Sequence, residues 1–246
     1  RDRSVSRGLG DVYKRQDLIL ANATSPLQSA AAATTTIPIL GTSVTDYATA
    51  LEISDWSGAT GRNISGTSDL APIEEQEAML KELFPDVKQV GLLYCSAEAN
   101  SLYQIQLFDA ALDKDGIAYK EYAIADTNEV QSVTTAAAGE CDVLYIPTDN
   151  TLASVTETVY NVVAPAKIPV IAGEEGICNG CGVATLSISY YDLGYATGEM
   201  AYEILAEGAD ITTMDVRYAP NVTKKYNAKI CEELGITVPD DYVAIQ

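Results

Sequence analysis

The sequence predicts an α/β protein of two lobes, each an open parallel sheet covered by helices. Three observations predict it. Short continuous apolar runs alternate with amphipathic helical patterns, the order that right-handed βαβ crossovers require. The chain has 246 residues, long for one compact domain and sufficient for two lobes. Its 47% hydrophobic and 20% charged residues are ordinary for a globular protein with a sizeable core.

The strands are read from apolar runs bounded by Gly, Pro, Asn, Asp or Ser, the pattern of strands buried on both faces. They are Leu18 to Ala23, Ile37 to Thr42, Val90 to Tyr94, Val143 to Ile146, Ile168 to Ala172 and Val183 to Leu186. After the first, Ala30 to Ala33 belongs to a helix. A second helix carries Ile73, Leu80, Leu83 and Phe84 and stops at Pro85; a third carries Leu102, Ile105, Phe108 and Leu112 and stops at Gly116. A later one carries Leu193, Ala196, Met200 and Ile204 and is followed by Gly208 and, from Thr212, by a short irregular tail. The segment FPDVKQVGLLY ends a helix and opens a strand, so the first crossing between lobes is expected there, with two more near Leu186 and Thr212. The expected lobes are residues 17–86 with 186–211, and 87–185 with 212–246.

Charge narrows the function. The net charge of −20 repels a phosphate backbone, so no nucleic acid partner is expected. The absence of His removes His-based acid–base catalysis and imidazole zinc sites. Residues 1–16, RDRSVSRGLGDVYKRQ, stand apart at +3. They lack the apolar stretch of a signal peptide and any helical period, and are taken as a non-native scar, the other reading being a basic arm for an acidic partner.

In open α/β sheets ligands bind beyond the carboxyl ends of the strands, where helix N-termini present unpaired N–H groups. The segments there are ATSPLQ, GTSVTD, GTSD, CSAEANS, PTDNT, GEEG and SISYYD. They share small hydroxyls, amides and isolated carboxylates. Ser25, Ser101 and Asn150 are also good N-caps, and taken singly each is accounted for by capping. Capping alone does not call for Glu98, Asp149 and Glu174 beside the hydroxyls. A zwitterionic amino acid does, with hydroxyls and N–H groups for its carboxylate and a carboxylate for its ammonium.

Other chemistry finds no footing. The chain has no GxxxxGK[ST], no strand-borne GxGxxG and no GxSxG, so no cofactor, catalytic residue or metal site is expected. Cys178 and Cys181 have redox spacing but lack a second pair, and are read as a local disulfide or two idle thiols. Tyr94, Tyr145, Tyr190 and Tyr191 either line an aromatic-ligand pocket or pack at lobe edges.

The segments IPILGTSVTDYATA, FPDVKQVGLLYCSAEANS, VLYIPTDNT and GVATLSISYYDLGYATGEMAYEIL resemble the ABC-transporter substrate-binding proteins of the tryptophan/tyrosine-type group. The resemblance runs from Asp17 onward. It implies a type I periplasmic-binding-protein architecture, two Rossmann-like lobes closing on one small ligand that is passed to a membrane permease. It also implies an extracytoplasmic protein, periplasmic or lipid-anchored, acting as a monomer, and a first lobe lacking two βα units ahead of DLILANA. The family's carboxylate-binding positions fall on Thr24, Ser25, Thr42 and Ser101, and its amine-binding carboxylate on Asp149. Asp46, Glu98, Asn100, Asn150 and Glu174 complete the implied cleft. Cys95 replaces the Asn common in relatives. The competing readings are a cysteine-dependent enzyme such as a racemase, using Cys95 or Cys178, and the ligand-sensing domain of a regulator.

Overall fold

The structure, a computed structural model, describes residues 16–219 and 221–245. Apart from Gln16, the basic opening run lies outside the described residues. The chain begins with β1 (Ile19–Asn22), α1 (Thr24–Ala33), β2 (Ile39–Val44), α2 (Tyr47–Ala50) and β3 (Ile64–Ser68). It continues through α3 (Ile73–Leu83), β4 (Gln89–Cys95), α4 (Ala99–Asp115), β5 (Ala118–Ile124) and α5 (Val130–Glu140). Next come β6 (Val143–Ile146), α6 (Asn150–Ala153), α7 (Thr156–Ala166), β7 (Val170–Ala172), α8 (Glu175–Cys181) and β8 (Ala184–Ile188). The last elements are α9 (Tyr190–Glu207), β9 (Arg217–Tyr218), β10 (Val222–Tyr226), α10 (Ala228–Leu234) and β11 (Val243–Ala244).

Two compact units result. The first holds the described residues of Arg1–Asp69 with Tyr190–Ala219, the second those of Leu70–Ser189 with Pro220–Gln246. In the first unit the strand order is β1-β2-β3-β9, all parallel. In the second it is β11-β10-β8-β7-β6-β4-β5, parallel except where β10 runs against β8. The α/β class with parallel sheets is therefore as expected.

The crossings fall elsewhere than at the expected boundaries. The first lies at Asp69–Leu70, because Ile73, Met79 and Leu80 of α3 share a core with Val90 and Leu92 of β4 and with Phe108 and Leu112 of α4. Pro85 ends a helix without ending a unit. The second lies at Ser189–Tyr190, since β8 pairs in the second unit's sheet up to Ile188. The third lies at Ala219–Pro220, because β9 still pairs with β3. Nor is the tail after Thr212 irregular: β10 and β11 extend the second sheet.

Within the second unit β4 shows why parallel strands read as unbroken apolar runs. Val90, Leu92 and Tyr94 enter one core, and Leu93 and Cys95 enter the core on the opposite face. Gly116 closes α4 in the left-handed conformation, φ 70°, as a C-terminal glycine should. In the first unit Gly41 of β2 pairs with Gly66 of β3, which at φ 146° leaves no room for a Cβ against the Gly41 backbone. Tyr47 covers this pair and donates its hydroxyl to the Thr67 carbonyl at 3.1 Å.

One carboxylate on α4 is poorly placed. Burial, then the charges of Glu121 and Asp113, push Asp109 up to about 6, and its Oδ1 has no hydrogen-bond partner among the described residues. A carboxyl raised on folding contributes stability that is complete below its unfolded value near ~4 and is lost as pH rises through its folded value. Asp109→Asn is therefore expected to stabilise the protein at pH 7 by about 1 kcal/mol, after allowance for partial solvation. Melting curves of both proteins at pH 4.5 and pH 7 check this; an unchanged difference between them across that interval would contradict it.

Candidate functional site

In the second unit the loops after β4 and β6 meet at the start of α4. Asp149, 1% exposed, accepts from the Cys95 N–H at 2.7 Å and the Ser101 hydroxyl at 2.8 Å through Oδ2. Its Oδ1 accepts from the Leu152 N–H at 2.8 Å and so caps α6. Half-buried Glu98 reaches the same turn. It accepts from the Thr151 N–H at 2.7 Å and the Thr151 hydroxyl at 2.6 Å, and from the Asn150 N–H at 3.0 Å and the Asn150 amide at 2.8 Å. Asn100 closes the ring, donating to Glu98 and to the Thr148 carbonyl, both at 3.1 Å. The structure thus brings Glu98, Asn100, Ser101, Asp149 and Asn150 into one hydrogen-bonded cluster.

The two carboxylates shift in opposite directions. Burial alone would raise Glu98, but donors on Thr151, Asn150 and Asn100 outweigh it and hold the carboxyl below its ordinary range. Asp149 is raised, first by burial and then by the Glu98 charge, against the hydrogen bonds from Leu152, Cys95 and Ser101. Two nearby carboxylates oppose each other's ionisation, so Glu98, the better solvated of the two and the better supplied with donors, ionises first and Asp149 after it.

Glu174 joins no bond of this cluster. It caps α8, accepting from the Gly176 N–H at 2.6 Å and from the Ile177 N–H, and burial raises its carboxyl despite those bonds. Its loop is nevertheless seated on the neighbouring one. A Cβ on Gly173 would stand 2.5 Å from the Thr148 nitrogen, and the Gly173 N–H donates to the Ile146 carbonyl at 2.7 Å.

In the first unit the ends of β1 and β2 lie side by side, with the Ala23 N–H on the Thr42 carbonyl at 2.9 Å. Both strand ends carry a residue in a conformation that favours glycine, Ala23 at φ 82° just after β1 and Ser43 at φ 54° within β2, where its register with β3 shifts. Such strain is typical of functional loops. Thr24 and Ser25 open α1, whose first turn has no side-chain cap. Thr42 receives the Thr67 hydroxyl at 3.3 Å, and Thr67 in turn meets the Thr197 hydroxyl at 2.9 Å. Asp46 caps α2 through the Thr49 N–H at 2.6 Å.

Of the helices that follow these strand ends, α2, α6 and α8 are capped by carboxylates, whereas α1, α3 and α4 have no side-chain cap among the described residues, and α3 carries Glu74 and Glu75 in its own first turn. Uncapped first turns offer N–H groups and a positive dipole end to an anion. This separates the candidates chemically. Thr24, Ser25, Asn100 and Ser101 sit where a carboxylate is favoured, and Asp46 and Glu174 have their oxygens engaged by backbone.

Sequence reasoning missed Gln76, Gln104 and Thr148. Both glutamines are fully buried, and each grips a strand-end loop by its main chain. A long polar residue at i+4 from Asn100 inside an apolar helix face was the available signal for Gln104. Two of the tyrosines resolve as core: Tyr145 stacks on Phe108 with centroids 3.7 Å apart and gives its hydroxyl to Gln76 at 2.7 Å, and Tyr94 bonds Glu121 at 2.5 Å. Tyr190 donates to Asp69 at 3.1 Å and Tyr191 is 80% exposed. All five cysteines are free and buried. Burial first, then neighbouring thiols and carboxylates, pushes Cys178 far up, and Cys181 rises to about 12.

Residues 10–245 match a family described as ABC transporter substrate binding protein. A tyrosine-binding protein of Clostridioides difficile (strain R20291) is 37% identical over 209 residues, 83% of this chain. The chain spans 60% of that curated relative's length. An ABC domain from Streptococcus pneumonia, solved in complex with L-Trp, is similar at 33% identity and a TM-score of 0.87, over 93% of this chain and 81% of that one. The ligand-free, open structure of a Clostridium difficile substrate binding protein with adhesive properties is similar at 34% identity and a TM-score of 0.73, over 95% of this chain and 79% of that one. A Caulobacter myo-inositol binding protein, at 14% identity and a TM-score of 0.58 over 93% of this chain and 80% of that one, shares the fold alone.

Proposed function

The chain belongs to the ABC transporter substrate binding protein family, and on that footing we propose that it binds a free amino acid, aromatic by preference, for import. Its architecture is that of type I periplasmic binding proteins. The observation that carries the reading is the division of labour at the strand ends. The uncapped first turn of α1 in the first unit, with Thr24 and Ser25 and with Thr42 on the neighbouring strand, and that of α4 in the second unit, with Asn100 and Ser101, each suit a carboxylate. The Glu98–Asp149 pair supplies negative charge for the ammonium. Asp149 acts mainly through its field and through the loops it ties, since three donors already hold its oxygens. Asn150, Asp46 and Glu174 fix the turns around these groups.

The aromatic preference rests on relatives that bind tyrosine and L-Trp. The protein works outside the cytoplasm, in the periplasm or tethered by a lipid, as a monomer that delivers its ligand to a membrane permease. It performs no covalent chemistry: a thiolate nucleophile needs a lowered pKa, and burial drives Cys178 and Cys181 the other way, while Cys95 is 1% exposed. Calorimetric titration with L-tyrosine, L-tryptophan, L-alanine and L-glutamate tests the reading. Saturable binding strongest for an aromatic amino acid is expected; turnover of any of them, or binding to none, would overturn it.

A further inference from the structure

We propose that Gln104 is a positioning residue for the second unit's ligand loops, setting the distance between the start of α4 and the loop after β6. The proposal rests on the reading that these loops serve the ligand. Strand β6 ends at Ile146, so the main chain of Thr148 lies beyond the sheet. The Gln104 side chain takes over there as a strand neighbour would. Its Oε1 accepts the Thr148 N–H at 3.1 Å and its Nε2 donates to the Thr148 carbonyl at 3.0 Å. The same Nε2 donates to the Asn100 carbonyl at 3.0 Å, one turn back in α4. One fully buried amide thereby joins the residue before Asp149 to the turn that carries Asn100 and Ser101.

The consequence reaches the site through short links. Asp149 holds the Cys95 N–H and the Ser101 hydroxyl, so a shift of Thr148 moves the acceptor away from both. Gln76 does the equivalent work one loop further on. Its Nε2 holds the Gly173 carbonyl at 3.1 Å, and its Oε1 is fixed by Tyr145. Both glutamines are fully buried, and each removes freedom from a loop before a ligand arrives, which is how preorganisation raises affinity.

The test uses Gln104→Met, close in size but without the amide, and Gln104→Glu, with L-tyrosine and L-tryptophan as probes. Gln104→Met is expected to weaken binding about tenfold at a temperature where it is fully folded. It should also accelerate amide exchange at residues 148–152 and 100–101 while leaving Gly173 and the far strands protected. Gln104→Glu is expected to bind poorly at pH 7.5 and to recover relative to the parent as pH falls. Only the protonated carboxyl offers both a donor and an acceptor to Thr148. Parental affinity in Gln104→Met, exchange that accelerates evenly over the unit, or no recovery in Gln104→Glu would overturn the proposal. Failure of the parent itself to bind would overturn the functional reading instead, and the exchange pattern, which needs no ligand, would still decide the role of Gln104.

Discussion

Asp149→Ala is expected to destabilise the protein by about 3 to 5 kcal/mol and to abolish amino-acid binding at micromolar concentrations. The alanine leaves three buried donors, the N–H groups of Cys95 and Leu152 and the Ser101 hydroxyl, without their acceptor. Each such orphan costs about 1 to 3 kcal/mol, and partial relaxation of the loop keeps the sum below the maximum. Asp149→Asn separates the two consequences. Its remaining oxygen still accepts one of these bonds and the volume is unchanged, so it should lose roughly half as much stability. It nevertheless removes the charge, and its affinity should fall nearly as far as that of the alanine variant. Urea unfolding and calorimetry on the two variants check this; an alanine variant that unfolds with the parental midpoint would remove Asp149 from its structural place, and parental affinity in both would remove it from the site.

Gly66→Ala is expected to cost more than about 4 kcal/mol and to leave the first unit unable to close its sheet. The residue sits at φ 146°, and a methyl group would be driven into the Gly41 carbonyl oxygen and the Tyr47 hydroxyl, with the Gly41 nitrogen at 2.6 Å. Two backbone atoms of a paired strand cannot step aside. Gly41→Ala is the informative comparison, because the nearest atoms its methyl meets belong to the Tyr47 side chain rather than to backbone. Thermal unfolding followed by circular dichroism should rank the parent above Gly41→Ala and Gly41→Ala far above Gly66→Ala. Equal midpoints for the two variants would show that the pairing of Gly66 with Gly41 carries no such constraint.

The strands that were legible in the sequence, β1, β2, β4, β6, β7 and β8, are the ones that lie in or begin with a largely apolar run. Strand β3 was not, although all five of its residues are buried, because ISGTS carries hydroxyls whose partners are distant in sequence. Ser65 donates to the Met214 carbonyl, Thr67 meets Thr197, and Ser68 donates to the Thr45 carbonyl. A period-based reading sees a polar loop where the fold holds a satisfied core strand. Strands β5 and β10 were missed for a different reason, since AYKEYAI and VTKKY expose one face or an edge and interleave charge with aromatic residues.

The candidate site was legible as a set of loops and less so as a set of roles. Glu98, Asn100, Ser101, Asp149 and Asn150 converge as their strand-end positions implied. What composition could not reveal is that the carboxylates spend their oxygens on backbone. Asp46, Asp149 and Glu174 each cap the helix that follows, and Glu98 reaches across to the turn of another. Capping and ligand recognition call for the same residue types at the same places, and only distances separate them.

The interleaving of the two units bears on biosynthesis. Strand β9, at residues 217–218, pairs with β3 at residues 64–68, and β10, at 222–226, pairs with β8 at 184–188. A nascent polypeptide leaving the ribosome therefore carries an open β3 edge from residue 68 until β9 emerges at residue 217, and its second sheet is complete only when β11, at 243–244, has followed. Until its partner arrives a bare strand edge is a template for wrong pairing, a hazard that grows with the length of chain separating the two strands.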